Sequence, residues 1–347
     1  MLQGRANGKT CRGMVVSVNT ITESAPKASF RSRTKYMIGN PNILFLIAGI
    51  VIVVIISFIV PNFMTWENIT SLISQASTTG LMAIGLTFVI ITAGIDLSLP
   101  CVMALSSIVG CMIMRNTQNV LAGVLSIIAV AAAIGAFNGL SVSRLKMVPM
   151  IVTLAVQTVA AGLSSWITGA TSVGGLPKSF SKIFAGSIFG FPISALIFIL
   201  IAVCMHLLLS KTIFGRQLYQ VGVNEKTAKV NGVNTERIIF MIYLISGIMA
   251  GVAGVLNAAK LNCAGPSMGT PDKFTDIVCG VVIGGGSVMG GKGTILGTVL
   301  GSLFMAVITN VMNLYGVDYF ITFIIKGGVI VLFTYFDILR NKAGEKR

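Results

Sequence analysis

Lys211–Arg237 reads KTIFGRQLYQVGVNEKTAKVNGVNTER and has apolar runs of membrane-spanning length on both sides. It is the one long polar stretch in the C-terminal half of the chain. Lys211, Arg216, Lys226, Lys229 and Arg237 stand in it against only Glu225 and Glu236. Basic residues close to the ends of spans resist translocation, which places this loop on the cytoplasmic side. Glu225 to Lys229 consists of good helix formers apart from Thr227, and Gly232 is placed to end a short helix. A short helix held out to the cytoplasm between two spans gives a soluble partner something to grip, and a motor is the partner it suggests.

The rest of the chain fits a membrane setting. Its 347 residues are 54% hydrophobic and 10% charged, whereas soluble domains carry about 25% charge. The mean hydropathy is +0.91. A span needs roughly 20 apolar residues, and about ten can be placed: 43–60, 71–93, 97–114, 120–143, 148–169, 191–210, 238–257, 276–290, 293–313 and 319–337. The segment at 276–290 is short and glycine-rich and is a candidate re-entrant piece. The expected fold is therefore an all-α polytopic membrane protein of about ten transmembrane helices with a short cytoplasmic coupling helix. Its parts are a basic tail at 1–40, a transmembrane domain at 41–338 containing the loop at 211–237, and a tail at 339–347.

Orientation follows from Arg5, Lys9, Arg12, Lys27, Arg31, Arg33 and Lys35 in the N-terminal arm, Arg144 and Lys146, Lys292, and Arg340, Lys342, Lys346 and Arg347. With both termini cytoplasmic, all of these fall inside, while Lys178, Lys182, Lys260 and Lys273 sit in longer outer loops where the rule is weaker. The arm lacks the apolar core of a secretory signal, and Met14 stands as an alternative start. The net charge of +15 is spread over separate connectors and forms no single nucleic-acid-binding surface. The six cysteines show no C-x-x-C pair, so neither a disulfide framework nor a thiolate metal site is indicated. The lone His206 reads as a packed or interfacial residue, since metal sites need several ligands.

Gly286–Gly293, GSVMGGKG, imitates a phosphate-binding loop but ends in Gly293 where a magnesium-holding Ser or Thr belongs. No catalytic constellation stands out, and no ATPase is expected on this chain. Packing explains the glycines better. Gly293, Gly297 and Gly301, and likewise Gly247 and Gly251, recur at four-residue spacing, which lets helix backbones approach closely in lipid.

Asp96 interrupts apolar sequence in Gly94-Ile95-Asp96-Leu97-Ser98. A carboxylate at membrane depth costs about 2.5–3.5 kcal/mol and faces a partner or a cavity. The alternative, compatible with this, is a tight turn in which Asp96 caps the following span. Lys326, roughly two turns into the last span, has three readings: snorkelling to a surface, lining a pathway, or pairing with Asp276.

Three stretches together resemble the permease subunits of ribose-type sugar ABC importers. They are TFVIITAGIDLSLPCVMALSSIVG at 87–110, IFGRQLYQVGVNEKTAKVNGVNTERIIFMIYLISGIMAGVAGVL at 213–256 and IVCGVVIGGGSVMGGKGTILGTVLGSLF at 277–304. The likeness runs from about Asn40 to Asn341. Branched-chain amino-acid and nucleoside permeases share the wider superfamily, so both remain alternative substrate classes. The family pattern N-E-x-A-A-x-x-S-G appears as Asn224, Glu225, Lys226, Thr227, Ala228, Asn231 and Gly232, with Thr227 and Asn231 as departures. Phe274 and Leu99-Pro100 are departures elsewhere.

The resemblance implies a permease in a bacterial-type plasma membrane that works with a second copy or a paralogue and carries no cofactor of its own. An ABC ATPase holding ATP and magnesium would dock on Asn224, Glu225, Ala228 and Gly232, and an extracytoplasmic sugar-binding protein would dock on the other side. Asp96, Asn138, Gln157, Asn310 and Lys326 are the candidate pathway residues, and membrane lipid is the remaining partner. An ion-coupled secondary transporter is the alternative from another class. It would call for matched broken helices and membrane-buried acids, and it leaves the basic loop unexplained.

Overall fold

The computed structural model describes residues 59–345. Apart from Ile59 and Val60, the expected first span and the basic arm before it lie outside the described residues, as do Lys346 and Arg347. The chain begins with α1 (Trp66–Ile91), α2 (Leu99–Thr117), α3 (Val120–Ser143) and α4 (Pro149–Thr168). A short α5 (Lys178–Phe184) and a small antiparallel hairpin, β1 (Ser187–Ile188) with β2 (Phe191–Pro192), precede α6 (Ile193–Lys211). The polar loop forms α7 (Ile213–Val223) and α8 (Glu225–Val230). Then follow α9 (Thr235–Leu261), a 3-10 turn at Pro266–Gly269, α10 (Pro271–Ile283), α11 (Ile295–Leu314) and α12 (Tyr319–Glu345).

Among the described residues, seven helices are long and apolar enough to cross a membrane: α1, α2, α3, α4, α6, α9 and α11. In α1, 78% of the apolar window is buried, against 22% in α3, α4 and α6. The first helix is thus a central post, and the other three leave most of their surface exposed.

Local chemistry sets the helix ends. Thr65 accepts the Asn68 amide and starts α1 at Trp66, earlier than the expected 71. Pro271 in the first turn starts α10 at 271 instead of 276. The glycine run stops it at Ile283, with Gly285 in the left-handed region (φ +85). Its 13 residues reach about 20 Å at 1.5 Å per residue, short of the roughly 30 Å hydrocarbon core. The expected span at 276–290 is therefore a short helix followed by a loop at 284–294. Thr294 caps α11 by accepting the Gly297 amide, so Gly293 falls before the helix and only Gly297 and Gly301 share its face. The last helix runs on through the stretch expected as a tail, to Glu345.

Glycines carry the closest helix contacts. A methyl at Gly247 would sit 2.5 Å from the Ala131 carbonyl of α3, and one at Gly251 2.9 Å from the Ala131 side chain. Gly297 and Gly301 press on the carbonyls of Gly284 and Gly280, so α10 and α11 meet backbone to backbone.

The connectors sort into two ends. At one end lie the 92–98 turn, the 144–148 turn, α7–α8 and the glycine loop. There Lys146 sits 3.5 Å from Glu236 and 4.0 Å from Glu225, and the Gly291 amide donates to the Ile91 carbonyl at 2.8 Å. At the other end Val173 and Ala264 exchange backbone hydrogen bonds, and the Trp66 and Phe191 rings meet edge-on at 6.4 Å. Arg144, Lys146, Lys211, Arg216, Lys226, Lys229, Arg237 and Lys292 gather at the first end. Lys178, Lys182, Lys260 and Lys273 lie toward the second, together with Arg115, a basic residue the sequence reading left out.

Candidate functional site

Five helices line a cavity of about 390 Å³. From α1 come Gln75, Thr78 and Thr79, from α9 Asn257, from α10 Asp276, from α11 Thr309 and Asn313, and from α12 Thr322 and Lys326. Lys260 and Lys273 complete its charged wall. Three threonine hydroxyls donate back along their own helices: Thr78 to Ser74 at 3.4 Å, Thr309 to Met305 at 3.0 Å and Thr322 to Asp318 at 3.1 Å. Each proton is thereby occupied, leaving oxygen lone pairs to accept from a guest. The Asn257 amide nitrogen is buried and has no hydrogen-bond partner among the described residues. A buried donor left unmatched costs about 1–3 kcal/mol, which a guest hydroxyl or a water would relieve.

Lys326 decides the character of this cavity. Its ammonium lies 2.8 Å from one Asp276 carboxylate oxygen and 3.0 Å from the other. Only 5% of the lysine is exposed, so it does not snorkel. It ties α12 to α10 and at the same time lines the cavity. Of the five candidate pathway residues, Lys326 alone is part of this lining.

The other four are placed elsewhere. Asp96, 1% exposed, accepts the Ser98 amide at 3.1 Å and the Ser98 hydroxyl at 2.6 Å on one oxygen, and the Ser246 hydroxyl at 2.7 Å on the other. Three donors meet the carboxylate, and no cation lies against it among the described residues. Asn138 donates to the Ser98 hydroxyl oxygen at 3.0 Å, so Asp96 and Asn138 belong to one knot that binds the α1–α2 turn to α3 and α9. Asp96 faces partners, and the expected cap on the next helix is absent: Ser98 holds the N-cap position of α2 with no side-chain cap bond. Asn310 forms a reciprocal amide pair with Asn68 at 2.7 and 3.0 Å. Gln157 is half-buried on α4.

The coupling residues serve the shape of α8. Asn224 caps it by accepting the Thr227 amide at 3.0 Å, and Ala228 is buried underneath. Gly232 ends it in the left-handed region (φ +82). Glu225 is exposed, and at 4.0 Å from Lys146 such a surface pair contributes about 0–1 kcal/mol. What α7–α8 offer outward was missed in the sequence: Val223 is 76% exposed and Val230 87%, beside Lys226 and Lys229. Two bare valines at a membrane protein's polar end are noticed only once the turns are in place.

The loop that imitates a phosphate cradle has several of its amides engaged. Ser287 donates to Lys292, Gly290 to Ser287 and Gly291 to Ile91, all on carbonyl oxygens. A phosphate cradle needs such amides free and convergent.

Residues 68–334 match the family described as branched-chain amino acid transport system / permease component. The chain is 38% identical over 289 residues to the ribose import permease protein RbsC of Bacillus subtilis (strain 168), covering 83% of this chain and 89% of that one. It is 34% identical over 296 residues to the ribose import permease protein RbsC of Escherichia coli (strain K12), covering 84% and 92%. It is 33% identical over 299 residues to the D-allose transport system permease protein AlsC of the same strain, covering 86% and 91%. No solved structure matches the chain.

Proposed function

The chain belongs to the branched-chain amino acid transport system permease family, and from that premise we propose that it is the membrane-spanning subunit of an ABC importer for a monosaccharide, a ribose-type pentose or a hexose. The observation that carries the substrate class is the cavity. Its walls offer hydroxyl lone pairs, amides and the unmatched Asn257 donor, which suit a neutral polyol. The lining also carries Met82, Leu261, Val317, Tyr319 and Phe323, so the preference for a sugar over a branched-chain amino acid rests on its polar groups. The names of the ribose and allose permeases among its relatives support the same reading.

In this reading two permease chains, identical or paralogous, stand over two ATPase subunits that hold ATP and magnesium. A binding protein delivers the sugar from outside, and both termini lie in the cytoplasm. The α8 tip, with Val230 beside Lys229, rests on the ATPase. Nucleotide-driven closure pushes the tip and rocks the helices between inward- and outward-facing packings, and rigid helices meeting at glycines suit that motion.

Reconstitution into liposomes tests this directly. With the ATPase and a sugar-loaded binding protein present, uptake should follow ATP and survive collapse of ion gradients. Concentrative uptake by the chain alone under a proton or sodium gradient would overturn the reading. Orientation is tested by single-cysteine labelling from outside in a Cys-less background. Positions beside Glu67 and Asp318 should react, and Lys229 should not.

A further inference from the structure

The coupling loop and the cavity lie toward opposite ends of the bundle, yet a continuous set of contacts joins them. Asn224 ends α7 and caps α8, so a push on α8 reaches α7 through one residue. On its inner face α7 buries Leu218 and Val221. The Tyr219 hydroxyl donates to the Gly293 carbonyl at 2.5 Å. One turn on, Gly222 packs against the Ile91 carbonyl so closely that a methyl would overlap it. The same carbonyl accepts the Gly291 amide at 2.8 Å.

Ile91 is the last residue of α1, and Gly293 lies just before the first turn of α11. Those two helices are also fastened to each other, by the buried Thr87–Thr298 hydroxyl pair at 2.7 Å and by the Asn68–Asn310 amides. Farther along, both wall the cavity, with Thr78 and Thr79 on α1 and Thr309 and Asn313 on α11.

We propose that Tyr219 is the positioning residue that passes movement of the coupling helix into the cavity wall, by holding α7 to the junction of the glycine loop with the end of α1. The proposal rests on the importer reading above. A displaced α7 carries α1 and α11 with it as a pair, because helices are stiff and the two are cross-bonded. Most of the junction is backbone against backbone, whereas the Tyr219 hydroxyl is a link that one substitution can cut. Allosteric coupling of this kind is a free energy shared between sites, and losing one part-buried hydrogen bond at the joint alters it measurably.

The test uses the full transporter, with ATPase subunits and binding protein, in proteoliposomes. Tyr219→Phe removes the hydroxyl and keeps the ring. It should assemble normally and retain basal ATP hydrolysis, while uptake per ATP and stimulation by sugar-loaded binding protein fall about five- to tenfold. Gly222→Ala, which pries α7 from Ile91, should uncouple in the same way. Tyr315→Phe removes a longer, exposed tyrosine hydrogen bond, to the Ile59 carbonyl at the other end, and should leave uptake per ATP unchanged. Wild-type uptake per ATP in Tyr219→Phe would overturn the proposal. So would a loss of uptake that merely follows lost assembly or lost basal hydrolysis, since the bond would then serve folding. Absence of ATP-driven sugar uptake in the wild type would instead sink the importer reading itself.

Discussion

Asp96 and Asp276 are both carboxylates within a membrane bundle, and they are held in opposite ways. Asp96 is closed in by a backbone amide and two serine hydroxyls, with no cation against it among the described residues. Asp276 meets an ammonium on another helix, at the wall of an open, hydroxyl-lined space. A charge saturated by short-range donors fixes a turn and has nothing left to offer a guest. A charge balanced by an ammonium beside a cavity can be shared. The first arrangement suits architecture, the second transport.

The contrast is open to attack, beginning with the pair. Asp276→Ala leaves Lys326 buried and uncompensated, and we expect it to destabilise the protein by about 3–5 kcal/mol, read from unfolding in detergent. Replacing both residues by leucine should restore most of that stability and still abolish uptake. Full uptake in the double variant would remove the pair from the pathway.

Next comes Asp96→Leu, which strands the Ser98 amide and two hydroxyls. A loss of about 1–3 kcal/mol is expected in the same unfolding assay, with uptake per folded molecule unchanged. If uptake per folded molecule falls as it does at Lys326, the division between a structural and a transporting carboxylate collapses.

Smaller effects sharpen the picture at the coupling end. Gly232→Leu forces a side chain into left-handed backbone at roughly 1–2 kcal/mol, and uptake should drop beyond that loss because the helix stop moves. Val230→Asp should shift stability by no more than about 0.5 kcal/mol while weakening retention of the ATPase on a tagged permease. Smallest of all, Lys292→Ala should barely change uptake, and the purified chain should bind no ATP; nucleotide binding measured on the chain alone would reverse that expectation.

Hydropathy made the long helices legible in the sequence, and the helix formers at 225–229 with a stop at Gly232 made the coupling helix legible. Pairing of Lys326 with Asp276 was one of three readings, because a lone lysine in a span has few ways to be satisfied. The cavity was invisible for a physical reason. Thr78, Thr309 and Thr322 donate to their own helices, so each looks in sequence like an ordinary residue of a span, and only the convergence of five helices turns their oxygens to one space. Asn138 and Asn310 drew attention as conspicuous amides, yet amides deep in a bundle are just as useful to one another, as the Asn68–Asn310 pair demonstrates. Nor could periodicity place Gly293 outside α11, since the spacing is the same on either side of the Thr294 cap.

The backbone-to-backbone seam of α10 and α11 has a bearing on how this chain can diverge. Gly284, Gly297 and Gly301 each face backbone atoms that even one added methyl would strike, so a change at any of them cannot be repaired by trimming the neighbour, which has no side chain to trim. Leu296, beside them and 57% exposed, faces the opposite circumstance. In a saturation library selected for uptake, those three columns should admit glycine alone while position 296 drifts among apolar residues, so that two adjacent positions, 296 and 297, lie at opposite extremes of substitution rate.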